Sequence, residues 1–461
     1  MTTTTTVIAA NRFGLGARPN ELRKIGERHR AWLLDQLEGP DKTAGALRAL
    51  PTSRELIIRI GELRAERRAE RKKNPENPDR EVIKRYSATL RSAYLDHLRA
   101  RYAAAAQSSH PFHERLVHFW SNHFAVSADK KPLAALAGGF ENEAIRPHVA
   151  GRFRDLLRAA VKHPAMLIYL DNLQSMGPAS RAGQRRQKKQ VAGGLNENLA
   201  REILELHTLG VGGGYAQADV TAFARAITGW SVGRANKKRE RPGEFMFRAA
   251  AHEPGSQSVL GNTYAQNDVT QGEAILDDLA THPATARHVA RKLARHFVAD
   301  EPPAALVERL AQVFMKSGGD LSLVYTALVE SDEPWHQITA KYKSPHDFLL
   351  STMRAFDYTP DQPRNIFRSL EALGQPAFQP GSPAGWPDTA EKWGGADALY
   401  KRIEWAAAAA RLIGTRVNPL DVGEKALGVA FSARTRRAVS RAQSLQQGTT
   451  LLLSSPDFQR R

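Results

Sequence analysis

Apolar residues recur along most of this 461-residue chain at spacings of three and four, the period of a helix that buries one face. Asn20 stands before a stripe of Leu22, Ile25, Trp32, Leu33, Leu34 and Leu37 and predicts a helix start. Residues 53–73 keep the period, end in a charged run from Arg64 to Lys73, and are stopped by Asn74-Pro75-Glu76-Asn77-Pro78. A second proline-free stretch over 79–106 follows, so the two predict a helical hairpin with a solvated arm. Over 113–124 the spacing puts Leu116, Trp120 and His123 on one face and His118, Ser121 and Asn122 on another, which turns His123 inward.

Further helices are predicted around 150–170. Asn196 caps the next over 196–210, with Leu199, Ile203 and Leu206 as its apolar stripe and Gly210 closing it. A helix over 217–229 and a helical half from Thr270 to Glu330 complete the pattern. Only Phe245-Met246-Phe247 and Val259-Leu260-Gly261 carry a strand signal, so one small element of two or three strands is expected near 244–262. The first ten residues read as a flexible tail and residues 11–461 as one helical domain. Residues 374–388 hold four prolines and three glycines and cannot be helix or central strand. The apolar anchors Phe378, Trp386 and Trp393 favour an ordered loop packed on the protein. No internal repeat is evident. Phe13-Gly-Leu-Gly16 lacks the preceding strand and the spacing of a nucleotide fingerprint and reads as a turn.

An aromatic content of only 7% agrees with a mainly α fold. Lys and Arg exceed Asp and Glu by 66 to 48, a formal charge of +18, which makes a polyanion a candidate partner. Arginine used simply for solubility explains the charge as well. With no cysteine, disulfides, thiolate nucleophiles and thiolate metal sites are excluded, and a divalent metal would have to sit on His, Asp, Glu or Asn. As written, the sequence lacks a secretory leader and any run of about 20 apolar residues. The expectation is a soluble cytoplasmic chain with no membrane span, the alternative being export by means the sequence does not display.

In order, Asn11-Arg-Phe-Gly-Leu-Gly16, Phe119-Trp-Ser-Asn-His-Phe124, the block Asn196 to Gly210, Ala224-Arg-Ala-Ile-Thr-Gly-Trp230, Gly385-Trp-Pro-Asp388 and Ser455-Pro-Asp-Phe-Gln-Arg460 resemble the bacterial family catalogued as domain of unknown function 1800. The resemblance implies a largely helical domain and a companion protein related to alkaline phosphatases and sulfatases. It carries no activity and no catalytic residues. Ser121 stands where relatives often have His, and Ala216 where they often have Thr.

Polar residues interrupt otherwise apolar helices at Asn122, His123, Glu197, Arg201, Glu202, Glu205, His207 and Arg225, and His252 sits between short apolar runs. Burying such groups costs several kcal/mol each unless they are paired. In one reading they are structural: Glu197, Arg201 and Glu205 form an i,i+4 ladder, while His123 and Arg225 meet backbone carbonyls. In the other they serve chemistry. Glu202, Glu205, His123 and His252 are then the catalytic candidates and Asn122, Arg201 and Arg225 bind substrate, a set suited to acid/base work or to a divalent metal bound through oxygen and nitrogen. No His-Glu-x-x-His, Glu-x-x-His or Asp-x-Asp spacing supports the metal, and no Gly-x-Ser-x-Gly supports a serine nucleophile. The function classes are therefore an enzyme acting on a polymer or acidic substrate, or a helper that binds a protein partner or polyanion. For the second, the basic segments 64–73, 181–189 and 234–241 are candidates, with Arg185, Arg186, Lys188 and Lys189 in a mobile loop. No helix-turn-helix, finger or stacking motif accompanies them, which argues against sequence-specific nucleic-acid recognition.

Overall fold

The charged hairpin has nearly the bounds its pattern predicts, Ser53–Lys73 and Arg80–Gln107, and its two helices pack together. Thr52 opens the first with a reciprocal cap: its hydroxyl accepts the Glu55 N–H and the Glu55 carboxylate accepts the Thr52 N–H. Arg64 and Arg67 lie over the Tyr86 ring of the second helix. The computed structural model describes residues 3–39, 44–190, 193–234, 241–360 and 362–461. The protein is mainly α, 63% helical, and its strands among the described residues make only two two-stranded sheets.

One apolar core extends from Val7 to Phe458. The Pro111–His123 helix runs through it, with Phe112, Leu116, Val117 and Trp120 fully buried. Trp120 cannot lose its indole N–H to apolar surroundings without cost, and it donates to the Tyr325 hydroxyl at 2.6 Å, which donates onward to the Val149 carbonyl at 2.7 Å. Ion pairs are buried with the same completeness. Arg146 grips both oxygens of Glu114, at 2.6 and 3.0 Å, with no more than 3% of either side chain exposed.

Four local expectations change. Residues at the N-terminus, expected as a flexible tail, form a helix over Thr4–Ile8 that widens into a π turn over Ala9–Phe13. The apolar run Val7-Ile8-Ala9-Ala10 gives this segment a buried face, and Thr3 caps it through the Thr6 N–H. The basic segment expected as a mobile loop is a helix, Arg181–Lys188, whose Ser180 cap accepts the Gly183 N–H. Capping and the helix propensity of Arg, Gln and Lys outweigh its lack of apolar residues.

In the 196–210 block the α turns of Asn198–Glu202 widen into a π turn over Ile203–His207. The wider turn shifts the phase, so Leu204 and His207 are buried with Leu199 and Ile203, while Leu206 is only half-buried. The strand element is two hairpins. Trp230–Val232, read from sequence as a helix end, pairs antiparallel with Phe245–Phe247. Gln257–Val259 pairs with Asn262–Tyr264 around Leu260 and Gly261, both at positive φ, so part of the expected strand is the turn itself. Of the described residues, no helix is long and apolar enough to cross a membrane.

Candidate functional site

A cavity of about 290 Å³ opens between the Arg80–Gln107, Pro111–His123, Pro283–Phe297 and Pro345–Ala355 helices and is closed on one side by the loop 375–388. The loop is ordered because other elements hold it. Asn122 accepts the Trp386 N–H at 2.7 Å and donates to the Trp386 carbonyl at 2.9 Å, the Tyr94 hydroxyl donates to Ala377, and the Ala128 N–H donates to Phe378. Gly385 is needed at this junction: φ is +80°, and a Cβ there would lie 2.3 Å from the Asn122 carbonyl.

That docking brings Asp388 to His296. The carboxylate meets the imidazole Nδ1 at 2.5 Å and is backed by Lys341 and Arg461 at 3.9 and 3.7 Å. Burial alone would raise the Asp388 carboxyl, but His296, Lys341 and Arg461 outweigh it and bring it down to about 2. Burial lowers His296, against the pull of Asp388. At neutral pH the pair is therefore a carboxylate accepting Nδ1–H from a neutral imidazole, whose Nε2 keeps its lone pair. Arg115 approaches that nitrogen only at 3.5 Å. Arg115 itself is committed to Asp347 at 3.0 Å, and Arg461 pairs with the same carboxylate at 3.1 Å.

A second chain of titratable groups forms the neighbouring wall. The Tyr102 hydroxyl contacts His346 Nδ1, and His346 Nε2 lies 3.0 Å from His118 Nδ1. Burial holds the Tyr102 phenol protonated, against the pull of Arg101, and drives both imidazoles well below their ordinary value, where Arg101 adds to the effect. The phenol thus donates to Nδ1 of His346, His346 donates through Nε2 to Nδ1 of His118, and the proton of His118 sits on Nε2. That nitrogen is buried and has no partner among the described residues.

Charges lining the cavity are mostly paired. Arg101 gives Nε to both oxygens of Glu141, the first residue of another π turn, Glu141–Ile145. Lys292 is the exception. It lines the cavity without a hydrogen bond or ion pair to any described residue, and burial lowers it to about 8, with Asp388 and Arg295 as its charged neighbours. Phe119, Phe140, Phe378 and Trp386 supply the aromatic part of the lining, with the Arg101 guanidinium over the Phe378 ring at 5.1 Å.

A family model described as "Protein of unknown function (DUF1800)" matches residues 8–460. The chain belongs to that family. No curated protein and no solved structure matches it.

The residues singled out from the sequence of this DUF1800 chain divide between the cavity and its surroundings. Asn122 and His123 line the cavity; Glu202, Glu205, Arg201, Arg225 and His252 do not. Asn122 spends its amide on Trp386. His123 is buried, its Nε2 meets the His207 carbonyl at 3.1 Å, and burial pushes it well below its ordinary value. Glu202 is half-buried and raised, first by desolvation and then by Glu205. Glu205 bonds to the Tyr215 hydroxyl instead of extending the expected ladder, of which only the Arg201–Glu197 rung forms, at 2.9 Å. His252 lies beside the Trp230–Val232 hairpin, where its Nδ1 meets the Thr228 carbonyl at 3.1 Å. Arg225 is half-buried with its Nε unpartnered. Arg185, Lys188 and Lys189 are exposed on the Arg181–Lys188 helix and its C-cap, with Arg186 half-buried. Most of 234–241 lies outside the described residues. As for a metal, no group of three His, Asp or Glu among the described residues is placed to hold one.

Sequence reasoning did not single out Arg101, Tyr102, His118, Lys292, His296, His346 or Asp388 as site residues. They come from segments far apart in sequence, so no local spacing unites them. The one signal was Asp388, which ended the Gly385-Trp-Pro-Asp motif but was valued only for family likeness.

Proposed function

We propose that the chain is an enzyme that moves protons on a substrate held in this cavity. The observation that carries the proposal is the Asp388–His296 pair, a carboxylate that orients a neutral imidazole at the wall of a partly enclosed, aromatic-walled cavity. His296 Nε2 is the proton acceptor: Asp388 fixes the tautomer that leaves it basic and stabilises the imidazolium once the proton arrives. His118 lines the same cavity and is the matching hydrogen-bond donor through Nε2–H, available to negative charge that develops on the substrate and oriented through His346 by the Tyr102 phenol. A base and a hydrogen-bond donor thus line one cavity, an arrangement suited to taking a proton from the substrate and stabilising the charge left behind.

The proposal is tested by incubating the protein with a cell-extract metabolite mixture and following consumption by mass spectrometry. The wild type is expected to consume a component that H296N and D388N leave untouched while both keep their melting temperature. A mixture unchanged by the wild type, or changed equally by both variants, removes the proposal.

A second reading, a non-catalytic helper for a protein partner or polyanion, is favoured by one observation. Arg181, Arg185, Lys188 and Lys189 are exposed together at the 181–189 segment, with no ion pair to any described residue. Salt-sensitive heparin retention that disappears when Arg185, Arg186, Lys188 and Lys189 are changed to Gln supports that reading; unchanged retention removes it.

A further inference from the structure

The cavity's unpartnered polar atoms are, with one kind of exception, hydrogen-bond donors. All three carboxylates on its wall are already engaged: Glu141 by Arg101, Asp347 by Arg115 and Arg461, and Asp388 by His296. Arg101 uses only Nε on Glu141, so its two outer nitrogens have no acceptor among the described residues. Lys292 has none either. His118 Nε2 and the Ser121 hydroxyl are buried without a partner. Arginine and lysine offer donors and no acceptors, and the His118 tautomer set by Tyr102 and His346 makes Nε2 a donor too. The exceptions are imidazole lone pairs: Nδ1 of His123, without a partner among the described residues, and Nε2 of His296, met only by Arg115 at 3.5 Å.

Charge points the same way. Arg101, Arg115, Lys292 and Arg295 line the cavity against three carboxylates, and the histidines are neutral, which leaves the wall one positive charge in excess. A donor-rich, net-cationic wall of low polarity is unfavourable when empty of acceptors and is relieved by an occupant that brings negative charge and oxygen lone pairs. On the same lining, Phe119, Phe140, Phe378 and Trp386 favour an apolar body.

We infer that the cavity binds a small molecule carrying one oxyanion, phosphoryl, sulfuryl or carboxylate, seated on Arg101, Lys292, Ser121 and His118, with its apolar body against Phe119 and Trp386. The inference extends the proton-transfer reading of the same cavity and rests on it for what becomes of the bound molecule; binding itself is measured without turnover. The burial that lowers Lys292 to about 8 leaves it protonated at neutral pH and makes its charge, once met by an oxyanion, worth more than on the surface.

The test is titration of the full chain with benzoate, phenyl phosphate, phenyl sulfate and benzylammonium, read by isothermal calorimetry at pH 7. At least one of the three anions is expected to bind and benzylammonium is not; the tightest anion names the oxyanion. K292Q and R101Q are each expected to weaken that anion roughly ten- to a hundredfold, the worth of a charge-assisted hydrogen bond. K292M, which keeps the length of the side chain and removes the amine, is expected to weaken the anion as K292Q does while its melting temperature stays at or above that of the wild type, and so separates loss of the seat from loss of the fold. Affinity should fall as pH rises through 8. Benzylammonium binding as well as the anions, no anion binding at all, or a Kd indifferent to both K292Q and R101Q overturns the inference. Each of those results leaves the consumption experiment on H296N and D388N to be judged separately.

Discussion

Lys343 carries a large charge-burial cost. Its side chain is 1% exposed, its Nζ has no hydrogen-bond partner among the described residues, and it rests over the Phe458 ring at 4.2 Å. Burial lowers it to about 7; Asp347 opposes the shift, while Arg115, Arg461 and Arg402 add to it. In the unfolded chain the same amine titrates near its ordinary value of 10.5. The folded state thus binds fewer protons than the unfolded state between these two values, so stability rises with pH across that window and the penalty is greatest below it. At 1.36 kcal/mol per unit of pKa the penalty is about 4 kcal/mol at pH 7 and about 2 kcal/mol at pH 9. Lys343→Met keeps the length of the side chain, keeps contact with Phe458 and removes the amine. Urea unfolding should show the variant more stable than the wild type by about 4 kcal/mol at pH 7 and by about half that at pH 9. A variant no more stable than the wild type, or a difference that does not shrink between the two pH values, refutes the reasoning.

Glu114→Gln takes the carboxylate charge out of the buried, bidentate Arg146 pair and should cost about 3–5 kcal/mol in the same assay. Because Arg146 outweighs burial and holds the Glu114 carboxyl below its ordinary 4.5, the pair's contribution is present above that value and is lost as pH falls through the lowered one. Asn122→Ala removes both bonds to Trp386, so the 375–388 loop should become cleavable by limited proteolysis while global stability drops by only about 1–2 kcal/mol. Ser121→Ala takes away a hydroxyl with no partner and should leave the melting temperature unchanged or slightly higher, read by calorimetry.

How far the sequence could be read depended on whether a feature is local. The 53–73 and 80–107 helices, the inward turn of His123 and the packing of the 374–388 loop all follow from periodicity, capping and apolar anchors within one segment. The π turn over Ile203–His207 does not, since one residue's change of phase is written in no spacing rule and is stabilised by the Thr208 hydroxyl on the Ile203 carbonyl. The partner of Phe245–Phe247 was hidden because Trp230 follows a helix that the 3.6 period extends into it. The cavity was least legible. Arg101, His118, His296, His346 and Asp388 each look alone like ordinary helix or loop residues, and only tertiary packing sets them around one space. The Glu202–Glu205 pair drew notice because its charges are adjacent in sequence, and it lies outside that cavity.

The most direct test is the state of His296, which the imidazole 1H–15N NMR spectrum reads without any substrate. A neutral ring is expected at pH 7, protonated on Nδ1 with that proton far downfield in its short bond to Asp388 and unprotonated on Nε2, with loss of the downfield signal in D388N. A His296 that titrates at its ordinary value with the proton on Nε2, unaffected by D388N, would contradict the proposed role of His296.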